Sequence, residues 1–152
     1  MIEVSLNNKP IPVPIKFQPI YKVILLLAIL KYGTIKPYNA TFLKLHLYMW
    51  GLRDDSNLQI LLDIKNKRRN SITPWIFELA LEKTVTLGII NKLCKREIKS
   101  GELQICLEQK GLDLLEKIQE LKIFETDINK IKSVGIIPQA RILTVNKTWE
   151  IF

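Results

Sequence analysis

The sequence predicts a mainly α chain with one small β-hairpin, an α+β fold. Two stretches establish it. Residues 20–32, IYKVILLLAILKY, are apolar on nearly every side of a helix, so this helix is expected at the centre of the core. Residues 73–121 read as helix, strand, turn, strand, helix. Thr73-Pro74 suits a helix start, because Thr caps free N–H groups and Pro fits the first turn. Gly88 suits its end, because Gly enters the left-handed conformation without strain. Then come IINKLCKREI, the turn Lys99-Ser100-Gly101 and ELQICLE. Leu103, Ile105 and Leu107 alternate with Glu102, Gln104 and Glu108, the period of a half-buried strand. Leu114, Ile118 and Leu121 mark the following helix. A helix that feeds a Gly-ended turn into a two-stranded ribbon is the second half of a winged helix. Residues 20–135 are therefore expected to form a winged helix-turn-helix core. An extended arm (1–19) precedes it and a C-terminal tail (136–152) follows.

The arm begins with a possible short strand, Ile2–Leu6, and continues through Pro10, Pro12, Pro14 and Pro19. Such spacing forbids helix and favours an extended chain. Ile11, Val13 and Ile15 alternate with the prolines and need an apolar surface. The arm is either a strap over the domain or a segment that docks on another subunit. Helix one ends at Gly33. The next is expected from Asn39 to Trp50 after Pro37-Tyr38-Asn39, with Phe42, Leu45 and Met49 on one face, and Gly51 ends it. Asp54-Asp55-Ser56 caps a third helix, Asn57–Lys67. Phe124, Ile128 and Ile131 mark a later helix closed by Gly135, and Pro138 breaks the chain. In the tail, ARILTVNKTWEIF, residues 142–145 are of β type. Trp149, Ile151 and Phe152 make its end apolar, so it returns to the core or serves as a docking segment.

A chain of 152 residues suits one compact domain with appended arms. Val23 to Leu30 is too short to span a bilayer, so no membrane partner is expected. No secretory signal pattern opens the sequence, and a cytoplasmic location is expected. Cys94 and Cys106, on facing ribbon strands, then read as reduced, small apolar fillers.

The net charge is +8, and residues 1–53 hold seven Lys or Arg against Glu3 alone. This balance fits nucleic acid, an anionic membrane or an acidic protein, and does not choose among them. The third helix ends in the basic run Lys65, Lys67, Arg68 and Arg69. They read first as C-terminal capping and a solvated loop, and second as a phosphate-binding cluster. On the ribbon, Lys95, Arg96 and Lys99 are candidate DNA-backbone contacts, diluted by Glu97 and Glu102.

Catalysis is not expected. The lone His46 anchors no triad or metal spacing, and there is no phosphate-binding loop or dinucleotide fingerprint. No catalytic, metal-binding or cofactor-binding residue is therefore expected, and no small-molecule substrate. The helix before the ribbon has the wrong polarity for a major groove. Glu78, Glu82 and Thr86, with Lys83 beside them, form its polar stripe, and the carboxylates would repel phosphates. Trp75 and Phe77 instead suit the desolvated centre of a protein interface. Trp75, Phe77, Trp149 and Phe152 are the candidate partner-binding residues.

The run LGIINK…SGELQICLEQKGLDLL resembles the wing-and-helix part of bacterial winged-helix proteins of the MarR/PadR type. Glu108 stands where a capping Thr is usual in that group. The whole outline, with a prolyl arm, the helix IYKVILLLAILKYG and a chain of about this length, resembles the small middle component of bacterial three-component ABC systems, including Lamassu-type antiphage defence. The resemblance implies a non-enzymatic accessory subunit that docks on a larger SMC-like ABC ATPase beside an effector, often a nuclease. A non-specific contact with double-stranded DNA is compatible with it. The competing expectation is a DNA-binding winged-helix transcriptional regulator.

Overall fold

The computed structural model describes residues 19–69 and 80–150, the side chains of 146–150 excepted. Its centre is α1 (Pro19–Tyr32), as the all-round apolar pattern requires. Ile24, Leu26, Leu27, Ile29 and Leu30 are fully buried. Each such side chain contributes roughly 1.5–3 kcal/mol by leaving water. Around α1 pack α2 (Phe42–Gly51), α4 (Leu81–Ile90), α5 (Gln109–Glu120) and α6 (Glu125–Val134). Next to these lie α3 (Asp55–Lys65), on α2 and α6, and α7 (Gln139–Glu150), on α3. Among the described residues the fold is mainly helical with a small antiparallel sheet.

The sheet has three strands, one more than the sequence pattern suggests. β1 (Asn39–Thr41) joins the hairpin of β2 (Cys94–Lys99) and β3 (Glu102–Leu107) in the order β1-β3-β2. Asn39 pairs with Cys106 and Thr41 with Gln104. This corrects the helix start expected at Asn39. The second helix begins at Phe42, where Thr41 Oγ1 accepts from the Lys44 N–H at 3.2 Å. Asp54 caps α3 as expected, accepting from Asn57 N at 2.9 Å. That helix stops at Lys65 rather than Lys67.

Two further expectations are overturned. Helix α4 runs through Gly88 to Ile90, and the left-handed residue is Lys92 (φ 61). Gly88 serves a close approach instead: a Cβ there would lie 2.8 Å from Cys94 Sγ. Gly135, by contrast, does end α6 with φ 65. The tail is helical rather than β-like. Ile142 and Val145, three residues apart, turn to one face and are buried. Ile137, Ile142 and Val145 thus belong to the same core as α1. The strand at residues 2–6 and the helix start at Thr73-Pro74 lie outside the described residues.

Candidate functional site

The ribbon is the part of the described molecule that reaches beyond the core. Ser100 (φ 53) and Gly101 (φ 76) form a two-residue loop between Lys99 and Glu102. Positive φ at both matches the turn type that fits the strand twist. On one face, Cys94, Arg96 and Ile98 oppose Leu107, Ile105 and Leu103. At the root of the ribbon this face is core: Ile105 is fully buried and Leu107 nearly so. At the tip it is not. Ile98 is 74% exposed and its partner Leu103 is 40% exposed. Alternation places Leu103 inward, but the strand has by then passed the end of the helical body.

The opposite face is charged and largely self-neutralised. Lys95 Nζ lies 3.5 Å from Glu97 Oε2 and 3.8 Å from Glu108 Oε1. Glu97 also accepts from Asn39 Nδ2 at 2.8 Å. That hydrogen bond holds the Glu97 carboxyl below its usual range against the opposing effect of burial, and the Lys95 charge adds to it. Glu108 stands at the N-cap of α5 without a side-chain cap bond, and its carboxylate leans on Lys95 instead. Arg96 and Lys99 remain exposed. On α4, Glu82, Lys83 and Thr86 of the expected polar stripe are exposed, with the apolar Ile90 beside them, and Glu78 lies outside the described residues.

The other basic group is built differently. Lys65 Nζ lies against the backbone at Gly135, where α6 ends, and a Cβ there would be 2.8 Å from it. Arg68 pairs with Asp63 at 3.2 Å. Hydrogen bonds from Gln59, then Arg68, keep the Asp63 carboxyl below its usual range, outweighing some burial. Lys67 takes the left-handed position (φ 61) that turns the chain. From α7, Arg141 donates to Ile64 O at 3.0 Å and to Arg69 O. The turn follows α3, which packs on α2, α6 and α7, whereas β2 packs on β3 and α4. The two basic groups sit on different parts of the surface.

No protein-family model, curated protein or solved structure matches the chain.

Of the expected partner-binding residues, Trp75, Phe77 and Phe152 lie outside the described residues. Trp149 is in the last turn of α7, its side chain outside the described set. Sequence reasoning missed Ile98 and Leu103. A two-residue turn at 100–101 fixes them as cross-strand partners, and only the ribbon's reach beyond the body makes them exposed. It also missed Lys44, which is 5% exposed. Burial lowers its pKa to about 8, and its Nζ lies 6.0 Å from the Tyr48 ring centre. Both cysteines are free and buried. Burial, then the Glu108 charge, pushes the Cys94 thiol up to about 11. Burial, then the Glu97 charge, raises Cys106. Raised thiols are poor nucleophiles, consistent with a packing role. Among the described residues no cluster of three His, Cys, Asp or Glu could hold a metal ion. No described helix is long and apolar enough to cross a membrane.

Proposed function

We propose that the chain is a non-enzymatic winged-helix accessory subunit that docks on a larger protein through the tip of its ribbon. The observation that carries this reading is the exposed Ile98–Leu103 pair, set beside a charged face whose Lys95 is neutralised by Glu97 and Glu108. A DNA-backbone contact needs uncompensated cations. A protein interface needs an apolar centre with a polar rim. The succession α1-β1-α2, then α4-β2-β3, with strand order β1-β3-β2, supports the winged-helix assignment, α3 being an insertion. Glu82 on the exposed face of α4 argues against that helix entering a major groove.

The partner that the outline's resemblance suggests is a large SMC-like ABC ATPase in a bacterial antiphage-defence complex. Arg96 and Lys99 would then supply a sequence-independent DNA contact. The test is purification of the tagged chain from its own host at native expression, with mass spectrometry of what accompanies it. The expected result is stoichiometric recovery of the ATPase by the natural chain and loss of it by a folded I98D/L103D variant. Retention by that variant would remove the ribbon tip from the interface. Recovery of the chain alone with one defined DNA fragment would establish the transcriptional regulator instead.

A further inference from the structure

β2 is an outer strand of the sheet, because β3 lies between it and β1. The residues that flank a two-residue hairpin loop exchange main-chain hydrogen bonds, and bonded pairs then alternate along the ladder. Lys99–Glu102, Glu97–Gln104 and Lys95–Cys106 are therefore the bonded pairs. Leu107 fits this alternation: it stands opposite Cys94, but its N–H donates to Tyr38 O at 3.1 Å. The N–H and C=O groups of Arg96 and Ile98 thus point away from β3, along the open edge. Among the described residues no other element bonds to them. Arg96, Ile98, Lys99 and Ser100 are all exposed. An open edge of this kind is a template for another strand.

The edge is complementary to itself in one register. Two antiparallel copies related by a twofold axis at Ile98 set Ile98 against the partner's Ile98. The same axis sets Glu97 against the partner's Lys99, and Lys99 against the partner's Glu97. Apolar pairs and opposite charges directly across are the stabilising ones. Leu103 stands beside Ile98 on β3, so the two residues from each copy join into one apolar stripe. Centred on Glu97 instead, the pairing would oppose Glu97 to itself and Lys95 to Lys99, like charges at every step. Centred on Arg96, it would press two guanidinium groups together. Residues 94–108 hold Lys95, Arg96 and Lys99 against Glu97, Glu102 and Glu108, so the ribbons carry no net charge to keep two copies apart. The axis lies near the end of the ribbon, which leaves the two helical bodies on opposite sides of it. We propose that two copies of this chain associate by antiparallel pairing of their β2 edges, centred on Ile98. The pairing covers the tip that the docking reading uses, so a second copy and a larger partner exclude one another there. The association itself does not rest on that reading.

The test is sedimentation of the purified full chain at increasing concentration. Two short edges bury little area, so the expected result is a monomer–dimer equilibrium with a dissociation constant of about 0.1 mM. Lys99→Glu sets like charges opposite each other on both sides of the axis, and Glu97→Lys does the same. Each should weaken the dimer by roughly tenfold or more. An equimolar mixture of the two variants restores every opposite-charge pair and should dimerise as the natural chain does. A natural chain that stays monomeric at about 0.5 mM would overturn the proposal. A dimer indifferent to Lys99→Glu would also overturn it, because another surface would then hold the copies together. Glu97→Lys gives up the contacts with Asn39 and Lys95. If that disturbs the ribbon, Ile98→Cys tests the same axis. Pairing there brings the two Cα atoms to about 5.5 Å, within disulfide range, whereas position 103 lies one strand further out in each copy. The native thiols are buried. Under mild oxidation Ile98→Cys should form an intermolecular disulfide roughly tenfold faster than Leu103→Cys. Equal rates would sink the register. Neither experiment contains a larger partner, so failure here leaves the docking reading standing.

Discussion

The turn after α3 and the tip of the ribbon are both short basic stretches in sequence, and the fold uses them in opposite ways. In the turn, Lys65 lies on the end of α6, Arg68 closes on Asp63, and Arg141 grips the carbonyls of Ile64 and Arg69. At the tip, Arg96 and Lys99 flank two aliphatic side chains that the core does not reach. The difference teaches that the role of a basic run is decided by what packs on its backbone, not by its charge. Where orphan carbonyls end a helix, cations complete the fold. Where the strand has left the body, they are free to meet something else.

The contrast is broken most sharply at Arg141. Arg141→Ala removes two charge-assisted hydrogen bonds, while Ile64 O keeps the Lys67 N–H at 3.2 Å, and is expected to cost about 3 kcal/mol. Urea denaturation measures it, and a loss under about 1 kcal/mol would mean that α7 does not hold the turn.

Lys44 extends the comparison to a cation that serves neither role. Its folded pKa is lowered to about 8 from 10.5 by burial. Below pH 8 it is charged in both states and the cost of burying that charge is fully present. As pH rises from 8 toward 10.5 the folded state sheds the proton first, so stability rises, by roughly 3 kcal/mol at most. Burial also raises the hydroxyl pKa of Tyr48, and its effect is opposite: stability falls with pH once unfolded tyrosine ionises near 10. Lys44→Met should therefore be more stable than the natural chain at pH 7 and lose that advantage by about pH 10.5. Parallel pH–stability curves for the two proteins would show that Lys44 carries no burial cost.

The smallest effect is expected at the tip. I98D/L103D sets two carboxylates directly opposite each other in the ribbon and should cost about 1–2 kcal/mol, still less than the other changes because both positions are exposed. A thermal melt is enough to check it, and a large loss would return the tip to the core.

Much of the fold is legible in the sequence where the signal is local. The apolar circumference of α1, the Asp54 cap and the stop at Gly135 all act within a turn or two of themselves. What was not legible depends on partners far along the chain. Three residues, Asn39–Thr41, show no strand period, and become a strand because β3 pairs with them. Residues 142–145 have β-type composition, yet α3 offers a surface for a helix face carrying Ile142 and Val145. The roles of Lys65 and Arg68 could be guessed from the helix end, but the hold of Arg141 on that turn could not. The ribbon tip was half legible: the turn fixes the pairing, while exposure depends on where the helical body ends.

The close approach at Gly88 has a consequence for how this sequence can vary over time. A Cβ at position 88 would lie 2.8 Å from the sulfur of Cys94, with Leu26 Cδ2 at 3.7 Å behind it. Positions 88 and 94 therefore share one volume, although six residues and a change of secondary structure separate them. Position 88 can gain a side chain only if position 94 gives up volume, and Gly88 has nothing to give up in return.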